Sequence, residues 1–215
     1  MNQKTKKLTT IAMLCAMSYV AMLVCRIPIT AVEFLKYEPK DVLITIGGFL
    51  FGPIVSFLVA LIVAFVEMIT VSGTGIVGCI MNLISSCAFS CTAAAIYKKK
   101  RTMAGAIWSL AIAVLVMTAV MLIWNYLITP IYMIMPRSSV ASMLIPVFLP
   151  FNLIKGGLNM AIILLIYRPI VSALRRTKLI DPALAPKRNK LGIFLVALLL
   201  LLTCILFILV QKGIL

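Results

Sequence analysis

The 215-residue sequence has no histidine and only five carboxylates, Glu33, Glu38, Asp41, Glu67 and Asp181. Each shortage excludes a class of chemistry. Nucleophilic and general acid–base catalysis need a base near the reacting group, so the means for an active site are thin. No two carboxylates stand one helical turn apart inside an apolar run, where they could hold a catalytic metal. The six cysteines (15, 25, 79, 87, 91 and 204) lie within or at the ends of apolar runs. Cys87 and Cys91 share a helix face, but two thiols without further ligands make a poor metal site, so all six read as packing. No phosphate-binding loop ending in Gly-Lys-Ser/Thr occurs, which rules out ATP hydrolysis by that route. No buried acidic relay able to couple to a proton gradient is visible. The expectation is a binding protein rather than an enzyme, with no cofactor and no metal.

Charge is also scarce, at 12% of residues, whereas 64% are hydrophobic and the mean hydropathy is +1.20. A soluble domain carries about twice that charge, so the chain reads as an all-α integral membrane protein whose solvent is the lipid bilayer. A net charge of +15 on a soluble domain would suggest nucleic acid. Here the basic residues cluster between apolar runs of spanning length and report topology, so no nucleic-acid partner is expected.

The first apolar run, about 8–25, follows Lys4, Lys6 and Lys7 and reads as a retained first helix rather than a cleaved signal peptide, since no small-residue cleavage site follows. Ala12 and Ala16 lie one turn apart on it, a small-xxx-small pattern that permits close helix approach within one protein or between two. Residues 26–41, with Pro28 and Pro39, six charged positions, Phe34, Leu35 and Tyr37, form a loop too apolar to be a passive tether. The run 42–71 is too long for one helix and too short for two spans. Gly47, Gly48, Gly52 and Pro53 divide it into a short helix and a longer one over about 53–70, with Pro53 in the first turn. Glu67, near the end of the longer piece, is expected at the interface, with a position facing a site as the alternative. A glycine-rich turn, Ser72-Gly-Thr-Gly-Ile-Val-Gly78, leads to spans at about 79–97, 103–127 and 151–167. A polar linker and a last run at 191–210 follow.

With the N-terminus cytoplasmic, most of the 20 basic residues, including Lys98 to Arg101, Arg168, Arg175 and Arg176, fall inside. This satisfies the positive-inside rule only if 42–71 is split. The chain is then a multi-pass protein of the cell membrane with its C-terminus outside. The loop at 26–41, the glycine-rich turn, Asn125 and the pair Asn152 and Lys155 all belong to the outer half. Asn152 and Lys155, three residues apart, are neighbours on one helix face. A lysine there either snorkels to the interface or faces a site, and position alone does not separate the two.

Five stretches together resemble a known family: Glu33-Phe-Leu-Lys-Tyr-Glu-Pro-Lys-Asp-Val42, Gly47-Gly-Phe-Leu-Phe-Gly-Pro53, Ser72-Gly-Thr-Gly75, Asn125-Tyr126 with Pro130, and Pro150-Phe-Asn-Leu-Ile-Lys-Gly156. In this order, over about residues 8–172, they look like the riboflavin-binding S component of energy-coupling factor (ECF) transporters. The resemblance implies a six-helix bundle that captures riboflavin from outside, with residues 26–41 as a lid. Power would come from an ECF module of a membrane T component and two cytoplasmic ATPases. It also implies ligand contacts at Leu35, Lys36, Gly75, Asn125, Asn152 and Lys155, and docking on the T component through Ala12 and Ala16. The departure is the run at 191–210. The expected organisation is a six-helix vitamin-binding domain over 1–178, a linker over 179–190 and an extra transmembrane helix over 191–215. The rivals are an S component for another vitamin or a flavin analogue, and a membrane scaffold without a small-molecule ligand.

Overall fold

The computed structural model describes residues 3–28, 35–71, 73–176 and 191–211. Helix α1 (Gln3–Val24) leads through two two-residue strands, β1 (Ile27–Pro28) and β2 (Lys36–Tyr37), paired antiparallel as Ile27 with Tyr37 and Pro28 with Lys36. Helices α2 (Lys40–Phe51), α3 (Pro53–Thr70), α4 (Gly75–Ser86) and α5 (Thr92–Lys99) follow, with one wide π turn (Cys87–Cys91) joining α4 to α5. Helix α6 (Met103–Met133) is followed by α7 (Arg137–Met143), a second π turn (Leu144–Phe148), α8 (Leu149–Arg176) and α9 (Leu191–Gln211). The expected linker at 179–190 and residues 29–34 of the expected lid lie outside the described residues.

Five helical stretches are long and apolar enough to cross a membrane: Lys4–Val24, Pro53–Thr70, Gly75–Lys99, Met103–Met133 and Arg137–Leu174. Helix α9 is 21 residues of almost unbroken aliphatic sequence. The chain is thus a multi-pass membrane protein, a six-helix bundle with one further helix.

The short helix expected after residue 42 is present as α2, and its length decides its role. Twelve residues rise only about 18 Å, far less than the ~30 Å hydrocarbon layer. Every residue from Lys40 to Leu50 is buried, so α2 forms the centre of the bundle instead of a wall. The extended segment ahead of it has Leu35, Tyr37 and Glu38 buried. Three side chains of the expected lid are therefore packed into the protein, while Lys36 and Pro39 are half-buried. Such irregular backbone is tolerated in a membrane only where protein or water covers it.

Two glycines permit the turn back from α2 to α3. A Cβ at Gly48 would stand 2.0 Å from Ser56 Oγ and 2.8 Å from the Ala94 Cβ, so the helices could not meet there with any larger residue. Gly52 has φ +99°, a region that side chains rarely adopt, and Pro53 opens α3 directly after it. The main core joins α2, α5, α6 and α8 through Ile46, Phe49, Tyr97, Leu110, Met117, Ile163 and Tyr167. Phe49 stacks on Tyr97 with ring centroids 4.2 Å apart.

A polar cavity at one end of the bundle

At the end of the bundle where β1 and β2 lie, the helices diverge around a cavity of about 590 Å³. The descending segment supplies Arg26, Leu35, Lys36 and Glu38, and the turn before α4 supplies Gly73 and Thr74. Helix α4 adds Met81, Asn82 and Ser85, α6 adds Met121, Asn125 and Tyr132, and α8 adds Phe151, Asn152 and Lys155. Five of the six contacts expected from the sequence, Leu35, Lys36, Asn125, Asn152 and Lys155, line this one space. The sixth does not. Gly75 sits at the start of α4 with φ +58° and is exposed, and the turn meets the cavity through Gly73 and Thr74 instead.

A Cβ at Gly156 would stand 2.8 Å from Val114 Cγ1, so α8 lies tightly on α6 next to Lys155. Lys155 is only 6% exposed, which removes the snorkelling reading. Its Nζ donates to Ser85 Oγ at 3.1 Å and lies 3.6 Å from Asp41 Oδ2. Asp41 is fully buried in the first turn of α2, where a carboxylate suits the positive end of the helix dipole, and its Oδ1 accepts from Ser86 Oγ. Asn152 uses its Nδ2 locally, donating to the Phe148 carbonyl at 2.7 Å. Asn125 donates to the Met121 carbonyl at 2.7 Å and accepts from Thr129 Oγ1 at 2.9 Å. Each amide is thereby fixed in orientation and keeps part of its hydrogen-bonding capacity for a ligand.

Sequence reasoning missed the charged web beside these residues. Lys40 Nζ pairs with Glu38 Oε2 at 2.6 Å and with Glu67, while Arg26 Nε lies 2.9 Å from Glu38 Oε1. Arg26 Nη2 is 3.7 Å from Glu67 Oε1, which also accepts from Asn82 Nδ2 at 3.0 Å. Glu67 is 1% exposed, so its expected interfacial position is corrected: it is a buried ion-pair partner. The web ties both ends of the β1–β2 segment to α3 and α4. Burial acts to raise the Glu38 carboxyl, but Lys40, with Lys155 and Arg26 behind it, outweighs burial and holds it below the ordinary carboxylate range. Burial, reinforced by Asp41, pushes the Tyr37 phenol up, so its hydroxyl stays protonated and donates to Asn159 Oδ1 at 3.1 Å. A signal for the web was available. An intramembrane charge implies a partner nearby, and the expected topology puts Arg26 and Lys40 at the same end of the protein as Glu67.

Ala12 and Ala16 are both exposed on α1, so their close-packing face is not used within this fold. Among the described residues no group of three potential metal ligands occurs. The paired cysteines at 87 and 91 instead bound the π turn between α4 and α5.

A half-helix buried in a six-helix bundle and a polar cavity at one end define a membrane binding subunit, and the comparisons give its family. The profile described as ECF transporter, substrate-specific component, matches residues 6–167. The chain therefore belongs to the S components of ECF transporters, substrate-binding subunits rather than enzymes. It is 34% identical over 181 residues to the riboflavin transporter RibU of Staphylococcus aureus (strain TCH60), covering 81% of this chain and 95% of that protein. Identity to the riboflavin transporter FmnP of Bacillus subtilis (strain 168) is 31% over 163 residues, covering 71% and 85%. A solved chain from work on the structure and mechanism of the S component of a bacterial ECF transporter superposes with a TM-score of 0.69 at 33% identity. The match covers 80% of this chain and 99% of that one.

Proposed function

We propose that this chain is the riboflavin-capturing subunit of an ATP-driven ECF transporter, working with a T component and two cytoplasmic ATPases. The observation that carries the reading is the convergence of Leu35, Lys36, Asn125, Asn152 and Lys155 on one cavity large enough for a tricyclic ring. The flavin ring presents a flat apolar face and an edge of carbonyls around an N–H. Met81, Met121 and Phe151 offer apolar surface, while amides and an ammonium can meet the edge, since buried polar groups left unpaired cost about 1–3 kcal/mol. Gly73 and Thr74 replace Gly75 as the backbone approach from the turn.

The N-terminus is cytoplasmic, the cavity opens outside, and the C-terminus ends outside. Residues 1–178 form the binding domain, 179–190 a cytoplasmic linker and 191–215 the additional helix. Residues 26–41 close over the ligand. Purified protein is expected to carry a flavin absorption spectrum or to quench added riboflavin stoichiometrically. A colourless preparation that leaves riboflavin fluorescence unchanged overturns the reading.

Docking on the T component uses the open face of α1 at Ala12 and Ala16. Changing both to leucine is expected to leave riboflavin binding intact and to abolish uptake in cells. Retained uptake would show that this face does not dock.

A further inference from the structure

Helix α9 lies beyond residues 6–167, the stretch that the family profile covers. Its apolar sequence alone marks a lipid-facing anchor, but the structure gives it two unlike faces. Leu199, Leu202 and Leu206 are exposed, whereas Ala197, Leu200, Cys204 and Ile208 form a stripe turned toward the bundle. The stripe approaches α8 closely at Gly157, where a Cβ would stand 3.0 Å from Cys204 Sγ.

The two ends of the stripe reach different parts of the core. Ala197 and Leu200 join the main cluster, while Cys204 and Ile208 pack against a second one that contains Leu35, Tyr37, Phe151 and Ile154. Leu35 and Phe151 from that cluster line the cavity. Tyr37, next to Lys36 on β2, is anchored by its hydrogen bond to Asn159 of α8. A ribbon with two residues per strand has no independent stability, so beyond the ion pairs at its ends its place depends on what packs behind Leu35 and Tyr37.

We propose that α9 buttresses the ligand cavity, with Cys204 and Ile208 as positioning residues that hold β2, and with it Leu35, against bound riboflavin. The proposal rests on the riboflavin-binding reading. It makes the added helix a determinant of how long ligand is retained, because loosening a closed wall speeds release more than it slows entry.

The test uses the full chain in detergent or nanodiscs and follows riboflavin release by recovery of its fluorescence. Cys204→Trp is expected to raise the dissociation rate by about tenfold with little change in association, whereas Leu206→Trp, on the exposed face, leaves both unchanged. Should Cys204→Trp fail to fold, Ile208→Ala, which removes packing without adding bulk, is expected to raise the rate by about threefold. Combined with Tyr37→Phe, the effect is expected to fall well short of the product of the single effects, because both changes act on one strand. A merely structural helix would give independent effects. Dissociation within about twofold of wild type in a folded Cys204→Trp or Ile208→Ala variant, or multiplicative effects with Tyr37→Phe, overturns the proposal while riboflavin binding by wild type stands. Failure of wild type itself to bind riboflavin overturns the functional reading and this inference together.

Discussion

Replacing Lys155 by methionine is expected to weaken riboflavin binding by roughly ten- to a hundredfold, the equivalent of losing one hydrogen bond to a charged group, about 1.5–3 kcal/mol. The variant alone is ambiguous, because Lys155 has a second partner. Its ammonium is ion-paired at 3.6 Å with Asp41 Oδ2, which accepts no hydrogen bond among the described residues, so the substitution also strands a buried carboxylate. Lys155→Met combined with Asp41→Asn removes both charges and separates the roles. If the ammonium meets the ligand, the double variant regains thermal stability but not affinity. Wild-type affinity in the double variant, measured by fluorescence titration, would show that Lys155 serves only to neutralise Asp41. Asn152→Ala supplies an independent check from the same helix face, with an expected loss of similar size.

The second large effect concerns folding. Lys40 is 1% exposed and is shared between Glu38 and Glu67, each almost fully buried. Lys40→Met leaves two carboxylates with Arg26 as their remaining cation. Breaking a buried ion pair from one side typically costs about 3–5 kcal/mol, because the surviving charge keeps its desolvation penalty without its partner. Unfolding in detergent should show a loss of that order, and Lys40→Met with Glu67→Gln should recover part of it by removing one orphaned charge. A single variant within about 1 kcal/mol of wild type would mean that water reaches the web and that the carboxylates are not desolvated. Ligand affinity should fall as well, since Arg26 and Glu38 line the cavity and tie β1 and β2 in place.

The buried ionic web also gives the short helix α2 its meaning. A 12-residue helix with Lys40 and Asp41 at its start is a poor membrane element judged by sequence. Surrounded by other helices, it carries those charges to a depth where Glu67 and Lys155 meet them. The protein thereby places three cations and three carboxylates beside a ligand cavity with little net charge among them, and Lys36 is the further cation on the wall.

How much of this was legible beforehand depends on the range of the interactions. The helix boundaries around Pro53, the division of 42–71, the spans and the final helix follow from hydropathy, glycine and proline, because these act within a few residues. Asn152 and Lys155 share a face for the same reason, helical periodicity, and the basic clusters order the spans. Residues on different helices were another matter. That Glu67 is buried, that Leu35, Tyr37 and Glu38 pack into the protein, and that Gly73 and Thr74 rather than Gly75 meet the cavity depend on pairings between segments tens of residues apart. Hydropathy scores a charge as unfavourable wherever it sits, whereas its actual cost depends on the partner that packing brings to it.

The sequence by itself thus determined a multi-pass helical membrane protein with its polar residues gathered toward one side, since composition and local periodicity suffice for that. Only the tertiary structure decided that Lys155 has a carboxylate partner, that Arg26, Glu38, Lys40 and Glu67 form one web beside the cavity, and that the last helix packs against the cluster containing Leu35 and Phe151. Such pairings join segments far apart in sequence and depend on packing, as at Gly48, Gly156 and Gly157, where the absence of a side chain lets α2 approach α3 and α5, α8 approach α6, and α9 approach α8; local periodicity does not encode them.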